Sequence, residues 1–177
     1  MRYYLDTNII LLLYREGKFR LLLERIEYAK ENEAYVSDLG ILELTSVLMR
    51  ISRTRDGHGR RILSRSKVRK IVKRMNHDFH RASIQKIGRL TTTPAIISVA
   101  TRLIRQHGAH HNLRCRDAIH LAIVLTRRLE DPSICLVTND KALATLCQRL
   151  GLHADTSLLI SAIEPDSVPD SSPNVTA

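Results

Sequence analysis

The chain has no tryptophan, and aromatic residues make up only 4% of its 177 positions. Platforms for stacking unpaired bases are therefore not evident. Cysteine is scarce. Cys115, Cys135 and Cys147 form no C-x-x-C pair, and their odd number speaks against a disulfide scaffold. They read as small buried hydrophobes. The histidine-rich stretch "HGAHHNLRC", His107 to Cys115, has no second cluster at zinc-ligand spacing, so it reads as a solvated connection between helices. No apolar run approaches the roughly 18 residues of a membrane span. The opening residues lack a basic n-region and a small-residue cleavage site, and Asp6 interrupts their apolar stretch. These absences lead us to expect a cytoplasmic protein with no membrane partner. No internal repeat is present, and no Ser-His-Asp arrangement is visible.

Acidic residues are outnumbered. Lys plus Arg is 28 against 18 Asp plus Glu, a formal net charge of +10. That balance favours anionic partners, nucleic acid above all. A hydrophobic fraction of 44% marks a globular chain, and its length suits one domain with a real core.

Strand and helix patterns alternate. "RYYL" reads as a short buried strand, followed by a helix over "DTNIILLLY" with Asp6, Thr7 or Asn8 as N-cap and Gly17 as breaker. "FRLLLERIEYAKENE" has helical spacing. "AYVS" is a second strand, and "DLGILELTSVLMRI" a helix capped by Ser37 or Asp38. After the break "DGHG" comes a basic amphipathic helix from about Arg60 to Arg81, with Val68, Ile71, Val72, Met75 and Phe79 as its apolar stripe. "SIQKIGRL" is a third strand. "TTTPAIISVATRLIRQHG" is a helix with Thr and Pro at its start and Gly108 at its end. "CRDAIHLAIVLTRRL" is the most apolar helix, "ICLVT" a parallel-type strand, and "DKALATLCQRLG" a helix stopped by Gly151. The pattern predicts a three-layer α/β/α sandwich around a mostly parallel sheet. The expected domain covers residues 1–160, with the basic segment at about 50–81. The Pro/Ser/Asp-rich residues 164–177 form an expected disordered tail.

Such sheets bind ligands at the carboxyl ends of their strands, which makes four acids informative. Asp6 follows the first strand directly, and Asp140 follows "ICLVT" with Asn139 between. Glu43 interrupts the apolar run "ILELTSVL", and Asp117 lies in the first turn of the most apolar helix. Singly, each has a plain structural role open to it. Asp6 and Asp140 can cap helices, Asp117 can complement a helix dipole, and Glu43 can pair with Arg50 or Arg114. Together at one edge they would repel each other and raise one another's pKa. A divalent cation removes that cost, and oxygen-only ligands suit Mg²⁺ or Mn²⁺. Such ions serve phosphodiester hydrolysis.

"YYLDTNII", "SDLGILELTSVL", "RCRDAIHLAIV" and "LVTNDKALATLCQRLGL", in this order and spacing, resemble a PIN-domain ribonuclease over residues 2 to 154. The likeness is to VapC-type toxins of toxin–antitoxin pairs in particular. The resemblance implies a PIN-like fold and a Mg²⁺- or Mn²⁺-dependent endoribonuclease. It implies a catalytic and metal-holding quartet of Asp6, Glu43, Asp117 and Asp140. Thr138 would help place metal or water, and Asn8 would brace Asp6. It also implies an antitoxin partner and a homodimer. His120, one turn after Asp117, reads as a packed helix histidine. Arg114 and Arg116 beside Asp117, and Lys67, Lys70, Lys73 and Arg74 in the basic segment, are the expected RNA contacts. That segment is longer and more basic than in compact members of the family, and its basic face also suits plain solvation. A non-catalytic RNA-binding or scaffold module with the same fold is the alternative. A phosphatase of the haloacid-dehalogenase type wants a second Asp where Asn8 stands.

Overall fold

Strand β1 (Arg2–Leu5) is the middle of a five-stranded sheet. The computed structural model describes residues 2–16, 33–55, 57–80 and 87–156. The expected helix over 19–32, the start of "SIQKIGRL", Arg81 and the tail lie outside them. Then follow α1 (Thr7–Glu16), β2 (Glu33–Ser37), α2 (Asp38–Ile51), α3 (Arg65–His80) and β3 (Ile87–Leu90). The chain continues through α4 (Pro94–His111), α5 (Cys115–Arg128), β4 (Ile134–Val137), α6 (Lys141–Arg149) and β5 (His153–Asp155). Strand order is β3-β2-β1-β4-β5, with every pair parallel.

Alternation along the strands builds two cores, because successive side chains leave opposite faces. Tyr3, Leu5, Ala34, Val36, Cys135 and Val137 meet α1, α2 and α3 on one face. Tyr4, Leu90, Ile134 and Leu136 meet α4, α5 and α6 on the other. This is the three-layer α/β/α sandwich expected from the pattern, with a wholly parallel sheet. From β1 the chain moves outward to β2 and β3; it then returns across the sheet to β4 on the other side of β1. The order reverses between β1 and β4, and a crevice opens at such a switch point beyond the carboxyl ends.

Three boundaries differ from the sequence reading. Helix α3 starts at Arg65, because an antiparallel bridge between Arg55 and Arg61 occupies the segment before it. Helix α4 runs through Gly108 to His111 and stops where Asn112 takes the left-handed conformation, φ 49°. The connection to α5 is therefore short, and His107, His110 and His111 belong to the last turns of α4. Strand β5 follows Gly151 (φ 71°) and was not foreseen. Among the described residues no helix is long and apolar enough to cross a membrane.

Candidate active site

Asp6 stands where β1 ends at the switch point. Its backbone N–H donates to the Val137 carbonyl at 3.0 Å, and its own carbonyl accepts the amides of Ile9 and Ile10 as α1 begins. The carboxylate is 4% exposed, a costly place for a charge without partners. Thr138, wholly buried, donates Oγ1 to Asp6 Oδ2 at 2.8 Å and accepts the Asp140 amide at 3.1 Å. One hydroxyl thus ties the acid after β1 to the acid after β4. Asn8, the expected brace, is exposed and lines the adjoining cleft.

Asp140 is the N-cap of α6: its Oδ1 accepts from Ala142 N at 2.9 Å and Leu143 N at 3.0 Å. The capping role open to it in the sequence is realised, and it leaves Oδ2 for other work. Glu43 projects from the second turn of α2, whose start is fixed by Ser37 accepting the Gly40 amide at 2.9 Å. Its Oε2 accepts from Thr7 Oγ1 at 3.0 Å, and its Oε1 accepts from Arg116. Burial pushes the Glu43 carboxyl up. Donation from His120 and Thr7, with the charge of Arg116, reverses that and holds it below its ordinary value.

Asp117 behaves oppositely. Half-buried in the first turn of α5, it is pushed above the usual carboxylate range by desolvation, then by the charges of Asp6 and Asp140. His120 and Arg116 pull it back only in part. The four acids are therefore one electrostatic group. Asp6 and Glu43 flank His120 Nε2 at 3.6 and 3.5 Å, Asp6 and Asp140 share Thr138, and Asp117 feels Asp6 and Asp140. Among the described residues, no three His, Cys, Asp or Glu side chains are grouped to hold an ion as they stand. In donor type and charge, Asp6, Asp117 and Asp140 suit a hard divalent cation, which would relieve the repulsion that raises Asp117. Glu43 is the member most engaged by its own neighbours.

A cleft of about 310 Å³ opens beside Asp117 and Asp140. Arg114, Arg116, Asn8, His111 and Asn112 line it, with the buried Leu113, Leu143 and Leu146 beneath. The structure thus brings Arg114 and Arg116 to the acids. Lys67, Lys70, Lys73 and Arg74 are exposed on α3. That helix packs on the later parts of its neighbours: Met49 of α2 and Ser52 just after it share a surface pocket with Arg65 and Val68, and Tyr14 of α1 donates to Asp78 at 2.7 Å. Because α1 and α2 both start at the carboxyl edge, those contacts lie toward the opposite edge. The basic face of α3 is set apart from the acids.

The sequence offers Thr7 and Ser37 only as helix caps, a role Ser37 fulfils, gives His120 only a packing role and assigns Tyr4 none. Thr7 adjoins Asp6, and His120 sits one turn from Asp117. Tyr4 carries no such mark.

A family model of the PIN domain matches residues 3–148. No curated protein sequence matches significantly. Among solved structures, VapBC2 from Rickettsia felis, bound to a DNA fragment from its promoter, superposes with a TM-score of 0.57 at 15% identity; the match covers 88% of this chain and 98% of that one. VapBC-1 from nontypeable Haemophilus influenzae gives 0.55 at 13% identity, covering 88% and 97%. FitAcB from Neisseria gonorrhoeae gives 0.52 at 14% identity, covering 86% and 95%. At these identities the likeness is one of fold.

Proposed function

Because the chain belongs to the PIN-domain family, whose members are generally nucleases, we propose that it is a metal-dependent endoribonuclease, the toxin of a toxin–antitoxin pair. One observation supports the chemistry most: Asp117, pushed up by burial and then by the charges of Asp6 and Asp140, stands with Asp140 at a cleft lined by Arg114 and Arg116. A binding module gains nothing from acids that repel each other, and the +10 chain still favours an anionic substrate.

Asp6, Asp117 and Asp140, with Glu43 as fourth member, would hold Mg²⁺ or Mn²⁺. When bound, the cation supplies charge stabilisation for a phosphodiester and makes a water more acidic. The protein's own groups do the positioning. Thr138 fixes Asp6 through Oδ2, and its Oδ1 lies 3.6 Å from His120 Nε2. The α6 cap fixes Asp140 through Oδ1. Arg114 and Arg116 hold RNA phosphates at the cleft, where Arg forks suit phosphate oxygens. Lys67, Lys70, Lys73 and Arg74 add long-range attraction for RNA without touching the chemistry. The partner of this reading is an antitoxin that covers the cleft, since the similar folds come from VapBC2, VapBC-1 and FitAcB. It includes a homodimer and a cytoplasmic location, and a nuclease domain over residues 1–160.

The test is incubation of the purified chain with single-stranded RNA in Mg²⁺ or Mn²⁺ and in EDTA. Internal cleavage that stops in EDTA is expected. RNA that is bound but left intact in excess metal would support the scaffold alternative.

A further inference from the structure

His120 is 1% exposed, and its two ring nitrogens face different chemistry. Nδ1 lies 2.7 Å from the Tyr4 hydroxyl, which in turn lies 2.9 Å from Ser37 Oγ. Nε2 lies 3.6 Å from Asp6 Oδ1, 3.5 Å from Glu43 Oε2 and 3.4 Å from Thr7 Oγ1. Two carboxylates around one nitrogen favour an N–H there, because a lone pair would face two negative charges. A neutral ring with its proton on Nε2 leaves Nδ1 as an acceptor, and the Tyr4 hydroxyl stands at hydrogen-bond distance to serve it. The Tyr4 hydroxyl lies within reach of both Ser37 Oγ, where it can donate at 2.9 Å, and His120 Nδ1 at 2.7 Å, and it has one proton to give. With an N–H on Nε2 facing the acids, that proton goes to Nδ1, the shorter of the two contacts.

The surroundings keep this ring in place. The Tyr4 ring sits 5.7 Å from it at a 52° tilt. On another side Gly40 presents no side chain; a Cβ there would lie 3.8 Å from His120 Cε1 and 3.3 Å from Ser37 Oγ. Asp6 follows β1 and Glu43 belongs to α2, so nothing in either element alone sets their separation. His120, on α5 from the opposite layer, reaches both. Any buried histidine needs partners on its ring nitrogens; here those facing Nε2 are two acids from different elements.

We propose that His120 is the positioning residue of the acid cluster: its Nε2–H spans Asp6 and Glu43, and Tyr4 sets which nitrogen carries that proton. The inference rests on the reading of those acids as site residues. Outer partners that orient such groups typically alter metal affinity by about 10–100-fold when removed.

Three substitutions separate positioning from packing. His120→Gln places an amide near the Nε2 position. His120→Asn can still meet Tyr4 but does not reach the acids. Tyr4→Phe keeps the ring and removes the donor to Nδ1. Mn²⁺ affinity is measured by calorimetry on each folded variant, with its melting temperature. His120→Asn is expected to weaken Mn²⁺ binding by about 10–100-fold, and His120→Gln to recover most of it. Equal affinities in the original, Asn and Gln proteins would overturn the proposal. Ring ¹H–¹⁵N spectra of the metal-free original should show the proton on Nε2, and Tyr4→Phe should disturb that signature. A proton on Nδ1 alone in the original would overturn the proposal whatever the metal data show. If the original takes up no Mn²⁺, the metal reading of the acids fails, and the spectra still decide where His120 holds its proton.

Discussion

Asp117 is raised above its ordinary value first by burial and then by the charges of Asp6 and Asp140. Its raised pKa means that the folded, metal-free protein binds this proton more readily than the unfolded chain does. Its charged form therefore costs stability. The cost is absent below the ordinary value of 3.8 and grows as pH rises through the raised folded value. Asp117→Asn should thus leave metal-free stability unchanged or raise it by about 0.5–2 kcal/mol at neutral pH, as other stability–function trade-offs do. The gain should vanish as pH falls. Thermal melts in EDTA across the acid range check this. Mn²⁺ should raise the melting temperature of the original far more than that of the variant. Glu43 has the opposite sign: its stabilisation is present above the ordinary value of 4.5 and is lost as pH falls through its lowered folded value. Asp140 permits a cleaner separation of cap from charge. Asn caps as well as Asp, so Asp140→Asn should melt close to the original, whereas Asp140→Ala should cost about 1 kcal/mol. Both should abolish cleavage. Cleavage retained by the Asn variant would reduce Asp140 to a cap.

At the scale of elements, α3 carries two separable faces. Val68, Ile71 and Met75 are buried against α1, α2 and the sheet, and Tyr14 ties the far turn through Asp78. Met75→Ala should cost about 2–5 kcal/mol, read from the denaturant midpoint. On the other face, replacing Lys67, Lys70 and Arg74 by Gln should weaken RNA binding about equally for all sequences. It should lower the salt slope by up to roughly 0.7 for each phosphate that is no longer neutralised. Arg74 also lies 3.9 Å from Asp78, so its share is the smallest of the three. An unchanged slope would make this a solvated face. Much of this was legible in the sequence, because the apolar stripe of α3 has helical period and its charges fall between. The start of the helix was legible too, in Ser64, whose Oγ accepts the Lys67 amide at 3.2 Å; the sequence reading set it early because it passed over that cap, and the bridge between Arg55 and Arg61 occupies the residues before it. The run through Gly108 was missed because glycine is only a weak breaker when the next turn still packs, and Asn112 supplies the left-handed stop instead. Strand β5 escaped because "HAD" is three residues long, lies at the sheet edge and pairs on one side only.

For the molecule as a whole, the fold turns four scattered acids into neighbours. Strand periodicity and the rule of carboxyl-end sites were enough to place Asp6 and Asp140 at one edge. They could not tell that Thr138 links the two, that Arg116 neutralises Glu43, or that His120 reaches both Asp6 and Glu43. The first joins the ends of neighbouring strands and the other two cross between layers, and sequence spacing carries no information about them. The arrangement follows from the reversal of strand order between β1 and β4, with α5 supplying Asp117 and His120 from one layer and α2 supplying Glu43 from the other. The central claim is that these acids act together in metal-dependent RNA cleavage. Its most direct measurement is the initial rate of RNA cleavage at saturating Mn²⁺ for the original protein and for Asp6→Asn, each shown to be folded by its melting curve. The account predicts a drop of orders of magnitude in the variant, with cooperative melting retained. A folded Asp6→Asn protein that cleaves at a rate close to the original's would contradict it.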